Sequence, residues 1–262
     1  MAEYETLVIE RHGTVARLVM SRPDVLNTFN AVQRREMVDA VNALNADNDV
    51  RVIILAGAGR AFCAGADLAE GVIGGGGVHT EEMLNSEYKP SLLGITESPK
   101  LWIAEVQGAA AGIGSAYAMA CDLVVMAEEG YLYQAFAAIG LIPDGGATWQ
   151  LLRAVGRKRA MEIIVGGERV YAARCLELGL CNRVVSAEEL PGAALAWAQT
   201  LADKAPLAMM YSKQALARAD GVSLGEMISQ EATMQHILIE TEDCREGVTA
   251  FFEKRAARFV GR

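Results

Sequence analysis

The stretch GAAAGIGSAYAMACD, residues 108–122, decides how the rest of the chain is organised. An apolar segment at 101–106 leads into it, and glycines recur at 108, 112 and 114. This order predicts a strand, a tight glycine turn and a buried helix that begins near Ile113. The first amides of such a helix suit a developing negative oxygen, because they lack intrahelical partners and carry partial positive charge. Close helix packing explains the same glycines and is favoured on this stretch alone.

A second stretch has the same design and changes that balance. The sequence FCAGADL, residues 62–68, follows an apolar segment at 52–56 and a glycine loop at 57–59. Two junctions of strand, glycine and helix could each direct one backbone amide at the same oxygen atom. Because carbonyl chemistry uses such a pair of donors, the second junction favours a catalytic interpretation.

Composition and charge exclude several classes of protein. The chain has 262 residues, 52% of them hydrophobic and 22% charged, as expected for one large globular domain or one domain with an extension. A net charge of −9 disfavours nucleic acid as a partner, and no apolar run is long enough to cross a membrane. Five cysteines without a CxxC pair and three scattered histidines predict reduced thiols, a cytoplasmic protein and no metal site.

The order of predicted elements changes near residue 185. Before it, a hairpin at 7–20 and alternating strands and helices predict an α/β fold with a repeated ββα unit. The helix predicted at 80–96 has Tyr88 on its inner face, and the glycine-rich segment 71–78 is either a pocket gate or a plain solvent loop. After it, capping boxes at Ser186 and Ser223 introduce helices only. We predict a core at 1–185 that holds the site, and a helical region at 186–262 that is a subunit interface or a plain cap.

One carboxylate stands out as a candidate base. Asp144 lies in the turn sequence IPDGG within a mainly apolar segment, so partial desolvation would raise its pKa toward that of a working base. A helix cap or turn residue explains the same aspartate and is favoured by sequence physics alone. The chain has no GxSxG motif, and the glycines after residue 112 do not fit a dinucleotide fingerprint.

Five motifs in order give the chain a family resemblance. They are RPDVLNTFN at 22–30, GAGRAFCAGADL at 57–68, GAAAGIG…ACD at 108–122, IGLIPDGGATW at 139–149 and EGVTAFFEKR at 246–255. Over nearly its whole length the chain resembles the enoyl-CoA hydratase/isomerase (crotonase) superfamily, most of all its phenylacetate-pathway isomerases. The resemblance implies a crotonase-like spiral of ββα units and a C-terminal helical region that forms trimers or dimers of trimers. It also implies an acyl-CoA thioester substrate, with coenzyme A as part of that substrate and no separate cofactor.

The same resemblance implies roles for individual residues. The backbone amides of Ala66 and Ile113 correspond to the oxyanion hole that holds the thioester carbonyl oxygen. The other residues implied to bind the substrate are Ala64, Asp67 and Leu68 along the CoA arm, Arg22, Val25 and Leu26 near the nucleotide end, Gly112 and Phe136 at the acyl group, and Phe251 and Lys254 across a subunit boundary. For the residues far from the carbonyl, a surface-charge or core role is the alternative.

Two departures from the family pattern bear on the reaction. Hydratases of this family resemble one another in two glutamates that handle one water, and this chain has Ala116 and Phe136 there. Asp144 instead matches the single aspartate of phenylacetate-type isomerases and of a halobenzoyl-CoA dehalogenase. We therefore predict a double-bond isomerase in which Asp144 carries the proton between two carbons.

Three alternatives to the isomerase stay open on the sequence. One is a hydratase that uses Asp144 with a water molecule, and another uses Asp144 as a nucleophile on an aromatic ring. The third, from a different class, is a non-catalytic subunit that binds acyl-CoA. Which acyl chain fits depends on the pocket walls, for which the side chains of Tyr88, Trp102, Phe136 and Trp149 are the candidates.

Overall fold

Two sheets and the helices around them form the fold in this computed structural model, which describes residues 3–70 and 76–262. The larger sheet has the strand order β1-β2-β3-β4-β6-β9, and the smaller has the order β5-β7-β8. The strands are β1 Leu7–His12, β2 Val15–Met20, β3 Val52–Gly57, β4 Leu101–Val106, β5 Ala109–Ala111, β6 Leu123–Ala127, β7 Tyr131–Tyr133, β8 Arg169–Tyr171 and β9 Arg183–Val185.

The larger sheet is mostly parallel and is buried at its centre. Strands β1 and β2 pair antiparallel, which confirms the predicted hairpin, and β2, β3, β4, β6 and β9 then pair in parallel. Every residue of β3 is buried, as expected for a parallel strand covered on both faces. In the register of this sheet, Val52 lies opposite Val15 on one side and Leu101 on the other.

The chain alternates between the two sheets, and this alternation produces the ββα unit that the sequence predicted. Strand β4 joins the larger sheet and β5 the smaller one, and a helix follows. The same order repeats with β6, β7 and the next helix. Cys63 makes an isolated bridge with Ala110 of β5, so the segment after β3 also reaches the smaller sheet.

Ten α-helices complete the described part of the chain. They are α1 Ala31–Ala46, α2 Gly76–Met83, α3 Lys89–Thr96, α4 Ile113–Ala120, α5 Ala147–Gly166, α6 Ala172–Leu178, α7 Leu190–Ala202, α8 Pro206–Ala219, α9 Leu224–Ile239 and α10 Glu242–Glu253. The Asn30 side chain caps α1 by accepting from the Gln33 amide at 2.8 Å. The predicted capping box of Ser223 and Glu226 is present at the start of α9.

The glycine-rich segment is partly helical, which corrects the loop prediction. Helix α2 begins at Gly76, and a π-helical stretch at Leu84–Tyr88 joins it to α3. Gly77 and Val78 therefore lie in the first turn of α2, which the residues after them continue as a helix. Within this turn, the Thr80 hydroxyl donates to the Gly76 carbonyl at 3.2 Å. The rest of the predicted loop, residues 71–75, lies outside the described residues.

The four C-terminal helices do not all relate to the core in the same way. Helix α7 buries Leu190, Ala194 and Ala198 in a cluster with Ile54 and Ile103 of the larger sheet. Helices α9 and α10 instead leave large apolar side chains exposed, Ile228, Ile237, Phe251 and Phe252 among them. Within the described ranges, no helix is long and apolar enough to cross a membrane.

Candidate active site

The two glycine junctions predicted from the sequence lie side by side. The Cys63 amide donates to the Ala109 carbonyl at 3.0 Å, and the Ala111 amide donates to the Cys63 carbonyl at 2.9 Å. These bonds align the segment 61–66 with β5, which leads directly into α4. The structure therefore brings together two stretches that are about forty-five residues apart in the chain.

Glycines make this close approach possible at two points. A Cβ built on Gly114 would overlap the Cys63 carbonyl oxygen and lie 2.8 Å from the Cys63 Cβ, so no larger residue fits without a shift. Gly112 has φ 54° and ψ −129°, a conformation that is open essentially to glycine alone. A Cβ there would also lie 3.7 Å from the Gly65 Cα, the residue before Ala66.

The amides of Ala66 and Ile113 are available at this junction. Phe29 bridges to Ala66 through the Gly65 carbonyl and the Asp67 amide, each at 2.9 Å, so the N–H of Ala66 itself points away from Phe29. Ile113 is the first residue of α4 and has no intrahelical acceptor. Neither amide donates to another group within residues 3–70 and 76–262, which fits the oxyanion hole implied by the family resemblance.

Asp144 lies in a turn that packs directly on the start of α4. Gly145 has φ 58°, and a Cβ built there would overlap the Ile113 side chain and lie 2.9 Å from the Ala116 Cβ. The Asp144 carboxyl is half-buried, and its buried Oδ1 has no partner among the residues described. Burial raises the pKa of this carboxyl to about 6, against a small opposing effect from its own backbone amide.

The cap interpretation of Asp144, which sequence physics favoured, is wrong. The N-cap of α5 is Gly146, in the left-handed conformation, and no side chain caps this helix end. Asp144 contributes its backbone carbonyl, which accepts from the Ala147 amide at 3.0 Å. Its carboxyl therefore makes no cap at the end of α5.

Apolar side chains occupy the positions where related hydratases have glutamates. Ala116 is fully buried beside Gly145, and the Phe136 ring would contact a Cβ on Gly112 at 3.7 Å. Both therefore border the junction, and neither can transfer a proton. Asp144 is the candidate base that the structure places against this junction.

Four of the predicted CoA-binding residues come together beside the Phe29–Ala66 bridge. The Arg22 guanidinium donates to Asp67 Oδ2 through two nitrogens, each at 3.1 Å. The Ala64 amide donates to the Leu26 carbonyl at 3.0 Å, and Leu26 has φ 55°. Val25 and Leu68 nearby in sequence are exposed.

Phe251 and Lys254 are not joined to this group by the contacts of the described chain. They lie on α10 and at its C-terminal end, and Phe251 is 78% exposed. Their predicted role was across a subunit boundary, so it stays a prediction.

Sequence reasoning missed two amide side chains that hold the first junction. Asn27 is fully buried with φ 57°, its Nδ2 donates to the Ala58 and Ala61 carbonyls at 2.8 Å each, and its Oδ1 accepts from the Arg22 amide. Gln107 donates to the Gly57 carbonyl at 2.7 Å and to the Ala61 carbonyl at 2.8 Å. The sequence signal available for Asn27 was its place in the motif at 22–30, which turns beside the glycine loop at 57–59.

The predicted pocket walls divide into two groups. Phe136 lies near Gly112, and the Tyr88 ring packs against Phe29, so both border the junction. Trp102 instead bonds through Nε1 to Asn45 at 3.3 Å, and Trp149 is half exposed with the Arg153 guanidinium 3.7 Å from its ring. These contacts do not test whether either tryptophan reaches the acyl group, so their assignment to the pocket wall stays a prediction.

Comparisons with known proteins identify the class. A family model described as enoyl-CoA hydratase/isomerase matches residues 10–262, so the chain belongs to the enoyl-CoA hydratase/isomerase family. The crystal structure of an enoyl-CoA hydratase from Bacillus anthracis matches with a TM-score of 0.94 at 29% identity, over 98% of this chain and all of that one. These findings confirm the family resemblance and the crotonase-type fold.

Individual relatives differ in the reaction that their names give. A probable enoyl-CoA hydratase of Rhodobacter capsulatus is 38% identical over 259 residues, 99% of each chain. The 1,2-epoxyphenylacetyl-CoA isomerase of Escherichia coli is 34% identical over 250 residues, 95% of each chain. The chain is thus similar to both a hydratase and an isomerase. Any argument for one reaction over the other therefore has to come from the residues of the site.

Proposed function

We propose that this family member is an isomerase that moves a double bond in an unsaturated acyl-CoA thioester, with Asp144 as its proton carrier. The observation that carries the proposal is the Asp144 carboxyl, half-buried on the turn that packs against Ile113, with its pKa raised to about 6. Such a carboxyl is largely ionised near pH 7 and is a stronger base than a solvated aspartate.

The reaction would proceed through a dienolate. The N–H groups of Ala66 and Ile113 donate to the thioester oxygen, and the ionised Asp144 removes a proton from one carbon of the acyl chain. The negative charge is then delocalised onto the thioester oxygen, and Asp144 returns the same proton to a different carbon. Each amide donor is worth roughly 2.7–4 kcal/mol of transition-state stabilisation. The product differs from the substrate only in the position of its double bond, and no separate cofactor takes part.

Apolar neighbours support isomerisation over addition of water. With Ala116 and Phe136 at the two glutamate positions of related hydratases, a water molecule would find neither of the usual paired carboxylates. A single carboxylate suffices to carry a proton between two carbons of one chain.

Replacement of Asp144 by asparagine tests the proposal. Conversion of 3-enoyl-CoA to 2-enoyl-CoA by Asp144→Asn should fall at least about 10²-fold, because a general base contributes roughly 10²–10⁴ in rate. Asp49→Asn, at an exposed position before β3, is the matched control and should keep wild-type turnover. Near-wild-type isomerisation by Asp144→Asn would remove Asp144 from the mechanism.

The hydratase alternative is kept because several relatives carry that name. Reaction in ¹⁸O-labelled water separates the two, since only hydration places solvent oxygen in the product. Exchange of the acidic substrate proton with deuterium tests the third possibility. Binding of thioesters without exchange or turnover would favour a non-catalytic acyl-CoA-binding subunit.

We also propose a homo-oligomer, either a trimer or a dimer of trimers, assembled through the C-terminal helices. The exposed Phe251 and Phe252 on α10 and the exposed Ile228 and Ile237 on α9 support it, because apolar surface of this kind marks protein interfaces. Light scattering should give about three or six times the chain mass of 28.0 kDa. A mass of one chain at micromolar concentration would contradict assembly.

A further inference from the structure

The Tyr88 hydroxyl, like Asp144 Oδ1, is a buried polar group beside the junction without an acceptor or donor that completes it among the described residues. Tyr88 ends the π-helical stretch Leu84–Tyr88, and its side chain is 1% exposed. Its oxygen lies beside the Arg34 guanidinium, and its O–H donates to no described residue. A hydroxyl left buried without a partner destabilises a fold, so such a group is typical of a site that a ligand completes.

The surroundings of Tyr88 place it beside the candidate active site. Its ring packs edge-on against Phe29, with centroids 5.6 Å apart, and Phe29 is the bridge partner of Ala66. Leu92, one turn further along, would lie 3.2 Å from a Cβ on Gly145, the neighbour of Asp144. Burial raises the pKa of the Tyr88 hydroxyl against the opposing charge of Arg34, so the hydroxyl is protonated near pH 7 and can act as a donor.

The ring of Tyr88 is held in place, while its O–H has no acceptor among the residues that the structure describes. The Arg34 guanidinium lies over the ring with its Cζ 5.7 Å from the centroid, and Arg34 is itself paired with Glu87 through Nε. The ring is therefore fixed between Phe29 and a paired cation. A donor fixed in this way loses little conformational freedom when it binds an acceptor.

A neighbouring tyrosine shows that this arrangement is particular to Tyr88. Tyr117 is equally buried, and its ring stacks on the Phe29 ring with the two centroids 4.8 Å apart. Its hydroxyl is paired with the Ser91 hydroxyl at 2.5 Å. Within the described ranges, the fold thus pairs one of two adjacent tyrosine hydroxyls and leaves the O–H of the other without an acceptor.

We propose that Tyr88 is a specificity residue whose hydroxyl donates a hydrogen bond to an oxygen atom carried by the acyl group. The favoured substrates are then acyl-CoA thioesters with a hydroxyl, oxo or ether oxygen beyond the reacting carbons, rather than plain hydrocarbon chains. The proposal rests on the acyl-CoA function above, but it does not depend on which reaction Asp144 performs. A site with a buried donor rejects analogues that lack the acceptor, because their binding leaves the donor unpaired.

Binding of saturated thioesters tests this without turnover. Dissociation constants are measured by calorimetry for hexanoyl-CoA and for hexanoyl-CoA with a hydroxyl at C4, C5 or C6, on wild type and Tyr88→Phe. Wild type should prefer at least one oxygenated thioester by about 10- to 100-fold, and Tyr88→Phe should reduce that preference to about twofold or less. Because these thioesters have no double bond to move, the result is independent of the isomerase proposal.

Tyr117→Phe is the matched control, since it removes a buried hydroxyl that already has a protein partner. It should lower thermal stability and leave the preference between the thioesters unchanged. Equal weakening of all four thioesters by Tyr88→Phe would overturn the proposal, because it would assign the hydroxyl to packing or to a bound water. Wild type that binds hexanoyl-CoA as tightly as every oxygenated thioester would also overturn it. Absence of binding to any thioester would overturn the acyl-CoA function and this proposal together.

Discussion

Substitution of Gly114 by alanine measures how closely the two junctions must approach. Gly114 lies in α4, and its added methyl would overlap the Cys63 carbonyl oxygen and lie 2.8 Å from its Cβ and 2.9 Å from its Sγ. Carbon atoms in contact need about 3.5–4.0 Å, so the two segments must separate by roughly 1 Å. That movement strains the 2.9 Å bond from the Ala111 amide to the Cys63 carbonyl.

The expected magnitudes follow from this geometry. Overpacking costs about 1–3 kcal/mol and the strained bond about 1 kcal/mol, while alanine gains about 1 kcal/mol over glycine in a helix. We expect Gly114→Ala to lower the free energy of unfolding by about 1–3 kcal/mol. If the amides of Ala66 and Ile113 act together as the proposed oxyanion hole, this separation should lower kcat by about 10²-fold or more.

Urea unfolding and steady-state kinetics measure the two effects. Gly192→Ala in α7 is the matched control, since a Cβ there meets nothing within 4 Å and should stabilise the fold by about 1 kcal/mol. Unchanged stability and kcat in Gly114→Ala would refute the close approach as the reason for this glycine. Lost stability with unchanged kcat would show that the junction packs tightly but does not hold the reacting oxygen.

Three further predictions concern Asp144, Lys213 and Asn27. The folded chain holds the Asp144 proton up to about pH 6 and the unfolded chain only to about pH 4, so stability falls as pH rises through that window. Isomerase activity should rise with increasing pH, with an apparent pKa near 6. Above that pH, Asp144→Asn should be more stable than wild type by up to about 3 kcal/mol in thermal or urea unfolding. Lys213→Met should cost about 3 kcal/mol of stability in urea, with Lys213→Arg less damaging, because Lys213 donates to Asp122 and to the Ile95 carbonyl at 2.8 Å each. Asn27→Ala should destabilise the fold by about 2 kcal/mol and raise the KM for acyl-CoA, since the part-buried Ala58 carbonyl loses its side-chain donor and the Ala61 carbonyl keeps only Gln107. An unchanged KM would limit Asn27 to stability.

Elements with a local signal could be predicted from the sequence. Strand β4 and the start of α4 at Ile113 are where the apolar run and the glycines indicated, and the capping box at Ser223 marks the start of α9. Strand β5 could not be predicted, because three alanines have no preference for a strand. Its conformation depends on pairing with Cys63 on one side and β7 on the other.

The site was predictable in position but not in detail. The two junctions and Asp144 follow from motifs, whereas the PDGG sequence on its own is typical of a helix cap. What decides otherwise is a contact between Gly145 and Ile113, thirty-two residues away in the chain. The same limit applies to Tyr88. Helical spacing predicts that its ring faces inward, but whether its hydroxyl finds a partner depends on every residue that surrounds it.

In the proposed mechanism, the donors at this junction belong to the main chain, and the base is a single side chain. Point substitutions at Ala116, Phe136 or Asp144 leave the peptide groups of Ala66 and Ile113 in place, so the capacity to hold an enolate persists while the proton chemistry changes. The reaction catalysed by this scaffold is therefore open to diversification through a few exchanges on α4 and the segment that follows β7. Enzymes that hold an oxyanion with side chains lack that freedom, since a mutation there removes the transition-state support itself.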